Sequence, residues 1–484
     1  MPSYDPAQHR QDCDRAFAPF CQHPALPFAD VLTGADVAQA FAEADVHFGT
    51  SRTAVYTPPL TLWGWLSQGV HKEKACLAAA FRIGVLLLVL CRPPGDSNSG
   101  TYCRARAKLP AAVFRCLACQ VGRRLEEQAP AAWLWRGRHV HLVDGLVVSM
   151  PDTAENQRRY PQPPSQKPGL GFPMMRLVLV VSLLSACVQA LAYGPYEGKE
   201  TGETALFRSL LAELVRGDIG VLDRYYGSYF MVVQGQQHGW DMVVRLHQRR
   251  SCDFSRGQRL GRDDHLVVWQ RPDRPAWMSV TEYDAVPKTL TVREVRVRVA
   301  EPGFRVETLV VVTTLLDGDV YTKEDIGDLY RQRWQVELDI RSLKIGLQMD
   351  HLRCLTPFMI EKEVWANVLS YNLVRKVAAQ AALLHKHHPR EISFTATKQA
   401  VEASWQALSV ASEAAQVALG EYLLKEVSKQ RVGDRPNRCE PRAVKRRPKK
   451  QKLLRLPRAE AQAALLKGRA GQQPTSAADP PPRC

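Results

Sequence analysis

The chain has 484 residues, 45% of them hydrophobic, with 65 lysines and arginines against 49 aspartates and glutamates and a formal net charge of +16. That length is too great for one simple core and fits about two to four folded units. The positive balance attracts polyanions, with nucleic acid as the first partner class and an anionic membrane surface as its rival.

Met1 to Arg10 is polar with no apolar stretch behind it, so no secretory signal is expected and a reducing, cytoplasmic setting follows. The 12 cysteines are therefore expected to be thiols. Cys116 and Cys119 form a C-x-x-C with no second pair at zinc-ligand spacing, and three-residue spacing also simply puts both on one helix face. From Asp36 to about Gln128 the pattern is helical, with long stretches Ala75–Leu90 and Ala111–Leu125 separated by a Pro93–Gly100 loop.

At His139 the pattern turns to short β-rich runs, His139–Met150, Met175–Ser185 and Val188–Tyr193, then a helix over Glu203–Val215 and a strand around Val221. The apolar run Leu177–Ala192 falls short of the ~20 residues of a membrane span and contains Ser182, Ser185 and Gln189, so two buried strands are expected. Strands return at Met242–Leu246, His265–Gln270, Leu290–Val299 and Thr308–Thr314, with no convincing helix between them. Helices are expected over Lys323–Leu347, Lys362–Leu384 and Thr397–Lys429. A tail from Arg431, containing Lys445-Arg446-Arg447-Pro448-Lys449-Lys450, is expected to contact DNA phosphate rather than form only a solvated charge run.

The most informative segment runs from Tyr330 through Arg333 and Glu337 to Lys344. At about 3.6 residues per turn these four fall within roughly 60° around a helix axis. On spacing alone such a row is equally a solvated, ion-paired surface. A site for metal and phosphate would use the carboxylate for the cation, the two basic groups for phosphate oxygens and the phenol for stacking or hydrogen bonding. Asp144, in Val143-Asp144-Gly145, and Asp223, in Leu222-Asp223-Arg224, each lie at or near the end of an apolar strand, where an aspartate is commonly a turn former or cap. Two such acids and a helical glutamate, far apart in sequence, are what a two-metal phosphodiester site needs.

The gapless spacing Tyr330-x2-Arg333-x3-Glu337-x6-Lys344 resembles the Y-R-E-K signature of the insertion-sequence-four family of bacterial DDE transposases. Asp144-Gly145 with Pro151–Asn156 resembles the first acidic block of that family, and Leu222-Asp223-Arg224 its second. The resemblance extends from about Thr57 to about Lys449. Leu146 departs from it, where many relatives carry threonine, but that side chain is no expected metal ligand.

The resemblance implies an α/β, RNase H-like catalytic core with a β-rich insertion, an N-terminal helical region and C-terminal helices. It implies DNA-end binding in residues 1–135, catalysis in 136–350 with the insertion at about 248–319, dimer contacts in 351–430 and a basic tail over 431–484. Asp144, Asp223 and Glu337 are then the catalytic residues and the ligands of Mg2+, for which Mn2+ can substitute. Tyr330, Arg333 and Lys344 are the DNA-binding residues. The implied activity is cleavage of terminal inverted repeats and joining to target DNA, by a homodimer on double-stranded DNA at the bacterial nucleoid, with no membrane partner. The rival functions are a metal-dependent nuclease without strand transfer and an inactive DNA-binding relative.

Two further groups are read as structural. Asp263-Asp264-His265 reads as a polar hairpin turn rather than a metal site, and His385, His387 and His388 as a helix end before Pro389. No P-loop is visible, so no ATP requirement is expected.

Overall fold

A computed structural model describes residues 6–51, 54–95, 98–298, 308–433 and 456–470. The Lys445–Lys450 cluster lies outside the described residues.

Six helices come first: α1 (Pro6–Arg15), α2 (Gly34–Glu43), α3 (Pro58–Val70), α4 (Cys76–Val89), α5 (Ser99–Lys108) and α6 (Ala111–Glu127). A Thr33/Asp36 capping box starts α2. Residues 140–245 contribute β1 (Val140–Ser149), α7 (Ala154–Arg159), β2 (Met174–Ser182), β3 (Val188–Pro195), α8 (Glu203–Leu210), β4 (Ile219–Leu222), α9 (Tyr229–Gln237) and β5 (Asp241–Arg245). The apolar Leu177–Ala192 run is thus the β2–β3 hairpin, and no helix among the described residues is long and apolar enough to cross a membrane.

Next come β6 (Gln258–Gly261), β7 (Asp264–Gln270), α10 (Val280–Ala285), β8 (Thr289–Arg298) and β9 (Thr308–Thr313). Among the described residues, nine strands form one sheet in the order β3-β2-β1-β4-β5-β9-β8-β7-β6. In its first half β2 is antiparallel to β1 and β3, whereas β1, β4 and β5 are mutually parallel. That 3-2-1-4-5 order is the RNase H-like core that the resemblance implies, and the insertion extends the same sheet beyond β5 through β9.

One expectation about the insertion needs correction, because α10 does interrupt the strands. Six residues are too few to show an apolar period, and the sequence signal was the Ser279/Glu282 capping box. Likewise Thr397–Lys429 is not one helix: α14 (Phe394–Val410) and α15 (Glu413–Ser428) are separated at Ala411, whose ψ of 145° is extended.

The remaining helices are α11 (Lys323–Arg331), α12 (Gln335–Arg341), α13 (Pro357–Leu384) and α16 (Arg458–Ala470). The 28-residue α13 is buried almost throughout, with α3, α6, α14 and α15 packed around it. Trp405 of α14 lies 5.5 Å from both Phe20 and Trp63, so helices from the two ends of the chain share one core. Asn372 of α13 ties that core to the sheet, accepting from the Val188 N–H at 2.8 Å and donating to the Ala118 and Val188 carbonyls.

Candidate active site

Strand register sets up the site. Val143 of β1 is paired with Leu222 of β4 in a parallel ladder, so the next residues, Asp144 and Asp223, emerge side by side. Asp223 ends its strand as expected. Asp144 does not, because β1 runs on to Ser149 paired with β2 alone, and Asp144 sits where the β4 neighbour stops. Each aspartate takes one adjacent backbone N–H, Gly145 to Asp144 at 2.8 Å and Arg224 to Asp223 at 2.6 Å, which fixes its carboxylate.

The third acid comes from the helical run after the insertion. A Thr322/Asp325 capping box starts α11, and a single 3-10 turn, Gln332–Trp334, joins it to α12. Glu337 is in the first turn of α12. The run is held down by Asp339, fully buried, which accepts from Arg375 at 2.8 Å, Arg390 at 3.0 Å and the Tyr371 hydroxyl at 3.1 Å. Arg390 also donates to the Ser182 carbonyl at the end of β2, so this network binds the Glu337 helix to α13 and the sheet.

Arg333 joins the acids. Its guanidinium lies 2.9 Å from Glu337 and 3.6 Å from Asp144. Burial works against its charge, but Tyr330, Glu337, Asp144 and Asp223 outweigh burial and hold its pKa above the ordinary value. Burial raises Asp144 to about 6, against the pull of the Gly145 N–H and Arg333, with Glu203 and Glu337 adding to the rise. Burial likewise pushes Tyr330 up to about 12, opposed by Arg333 and assisted by Asp223. Asp144, Asp223, Tyr330, Arg333 and Glu337 thus occupy one electrostatic neighbourhood.

Lys344 lies in an irregular turn. A regular helix would align it with Glu337, but Ser342–Gly346 is a π turn. A π turn takes more residues per revolution, so Lys344 lags behind the face expected from 3.6-residue periodicity. It is half-buried, and no hydrogen bond or ion pair connects it to a described residue.

Two residues at this site were not singled out in the sequence. A Cβ on Gly145 would lie 2.4 Å from the carboxyl carbon of Glu203, so the first residue of α8 brings a fourth carboxylate beside Asp144, and a larger residue at 145 would displace it. The buried Tyr226 hydroxyl has no hydrogen-bond partner among the described residues, and its pKa is raised by burial first and then by Glu203, Asp144 and Asp223. In the sequence Glu203 only opens the helix expected over Glu203–Val215, and Tyr226 follows the second acidic block. The Asp223-x-x-Tyr226 spacing was the available signal.

Hard carboxylate oxygens facing an unsatisfied buried hydroxyl suit a Mg2+-type ion with its waters. The three acids are not drawn tightly together, however. Among the described residues, the group whose ligand atoms all lie within 4.8 Å of one another is Cys252, His265 and Glu294 in the insertion. At the acids, the Arg333 guanidinium is the positive centre on which Asp144 and Glu337 converge.

Residues 135–373 match the transposase DDE domain family. The chain is 26% identical over 442 residues to transposase InsG of insertion sequence element IS4 from Escherichia coli K12, spanning 88% of this chain and 93% of that protein. It is 38% identical over 185 residues to the transposase of insertion sequence element IS421 from Escherichia coli, covering 32% of this chain and half, 50%, of that relative. A solved piggyBac transposase synaptic complex with hairpin DNA aligns at a TM-score of 0.41 and 10% identity, over 87% of this chain and 86% of that one.

The chain is a DDE transposase, an enzyme of DNA transposition whose class generally depends on a divalent metal and acts on DNA. Along nearly its whole length it is similar to the transposase of insertion sequence element IS4.

Proposed function

We propose that the enzyme binds the terminal inverted repeats of its own element, cleaves both ends and joins them to target DNA. The observation that carries this reading is the β1–β4 register, which sets Asp144 beside Asp223 facing the helix of Glu337 and Arg333. Asp144, Asp223 and Glu337 are the catalytic ligands of two Mg2+ ions, replaceable by Mn2+. Bound there, such ions activate the attacking oxygen and stabilise the leaving oxygen.

Arg333 has a double role. Without the ions its guanidinium neutralises Asp144 and Glu337, and with them it is free to turn to a phosphate oxygen at the element end. Lys344, without an ion partner, grips the same strand, and Tyr330 braces Arg333. Tyr226 directs its hydroxyl at the acids and orients a bound water. In the course that the family resemblance implies, the freed 3′ hydroxyl attacks the opposite strand to give a hairpin, and the reopened end is then joined to target DNA.

Residues 1–135 contact the ends and 351–430 the second protomer of a homodimer, while the tail from 431 contacts phosphate, all in the cytoplasm at the nucleoid. The test is incubation of duplexes carrying the element's repeats with enzyme, Mg2+ and a supercoiled target. Hairpinned ends and joined products are expected. Nicked ends that never hairpin or join would instead identify a nuclease without strand transfer.

A further inference from the structure

We propose that Cys252, His265 and Glu294 form a zinc site that fastens the loop between β5 and β6 onto the insertion sheet. In the antiparallel β7–β8 ladder His265 is directly opposite Glu294, so both side chains leave the same face. Cys252 reaches them from residues 246–257, its Sγ lying 3.9 Å from His265 Nε2. The His265 and Glu294 side chains are 1% and 5% exposed, while Cys252 is half-buried.

The hydrogen bonds leave three donor atoms pointing inward. His265 Nδ1 lies 2.7 Å from the Arg256 carbonyl, which can only accept, so this nitrogen carries the proton. In the neutral ring Nε2 is then a lone pair, and it faces Glu294 Oε2 at 3.2 Å. The other carboxylate oxygen, Oε1, is taken by the Trp269 indole N–H at 3.0 Å, which orients the group. Such a pair of acceptors needs either a proton between them or a metal ion, and the thiol close by favours the ion. Backbone support of the opposite ring nitrogen is the usual setting of a metal-bound histidine.

The dimensions fit a tetrahedral ion. Zinc bonds of about 2.0–2.3 Å imply ligand separations of about 3.2–3.8 Å. The separations here are 3.2 and 3.9 Å, and all ligand atoms lie within 4.8 Å of one another. Sulfur and imidazole donors select zinc over the Mg2+ suited to the all-carboxylate active site. Thiolate and carboxylate together neutralise the doubly charged ion, so the buried site gains no net charge. Water takes the fourth position on the half-exposed side of Cys252. On binding, the Cys252 thiol proton is released to solvent as the S–Zn bond forms, and no oxidant is required.

The ion would tie the insertion to the active site. The loop carries Gln248, which touches Arg224 beside Asp223 at 3.4 Å. Holding Cys252 against β7 and β8 limits how far that loop can swing from the second acid.

The test is Co2+ and Zn2+ titration of the full chain after chelator treatment, read by absorption and melting temperature. One equivalent of Co2+ is expected to give tetrahedral bands with a thiolate-to-cobalt transition, displaced by one equivalent of Zn2+, and Zn2+ is expected to raise the melting temperature by several degrees. Cys252→Ser should lose the thiolate transition and the zinc-dependent shift, while Cys116→Ser keeps both. Absence of a thiolate transition in the unmodified protein, which needs no variant to fold, would overturn the site and leave a protonated His265 paired with Glu294. Persistence of the transition in Cys252→Ser would also overturn it.

Discussion

At the scale of single residues, Asp144 and Arg333 balance each other. Because burial holds Asp144 near 6 rather than the usual carboxylate value near 4, the folded chain keeps a proton that the unfolded chain has lost between about pH 4 and 6. The stability this group contributes is present below about pH 4 and is lost as pH rises through 6. A divalent ion competes with that proton, so end cleavage should rise through about pH 6, with the midpoint moving down as Mg2+ increases. A rate profile flat from pH 5 to 7 at limiting Mg2+ would contradict this. Arg333→Ala removes charge-assisted contacts worth about 1.5–3 kcal/mol each, so cleavage should fall roughly 10- to 100-fold. Its melting temperature should drop with chelator present and recover with Mg2+, because the ion takes over neutralisation of Asp144 and Glu337. Gln335→Ala, two residues from Glu337 on a different side of α12, should change neither measurement.

At the scale of elements, Asp339 determines where the Glu337 helix sits. Asp339→Ala leaves Arg375 and Arg390 buried without their carboxylate, a loss of about 3–5 kcal/mol. Denaturant unfolding should show it, and a midpoint within error of the unmodified protein would assign the anchoring elsewhere. Much of the scaffold was legible in the sequence. Val140–Val143 and Ile219–Leu222 are short apolar runs each followed by an acid, and Tyr330, Arg333 and Glu337 stand at helical spacing. What periodicity could not show was irregularity: the 3-10 turn at Gln332–Trp334 and the π turn at Ser342–Gly346, which break the regular 3.6-residue spacing between Tyr330 and Lys344. Nor could it show cross-chain proximity. Glu203 reaches Gly145 because α8 packs on β2 and β3, and Cys252, His265 and Glu294 meet only through the β7–β8 register and a returning loop.

At the scale of the whole molecule, the +16 charge and the three acids serve one substrate in different ways. Spread basic groups attract the duplex by releasing counterions, so log affinity should fall linearly with log salt, with a slope of about −0.9 per phosphate contact. Deleting residues 434–484 should flatten that slope without abolishing end binding, as read by fluorescence anisotropy across a salt series. An unchanged slope would assign the tail another purpose. In the proposed function the acids act after binding. The most direct measurement of the central claim is therefore Mg2+-dependent cleavage of repeat-ended DNA by the unmodified enzyme and by Asp144→Asn, Asp223→Asn and Glu337→Gln, each checked for retained DNA binding. Loss of an ion that stabilises the transition state by several kcal/mol should lower each rate on the order of 10³-fold, with end affinity largely kept. Near-normal cleavage by any one variant, or unmodified cleavage undiminished by chelation of divalent metal, would contradict the account.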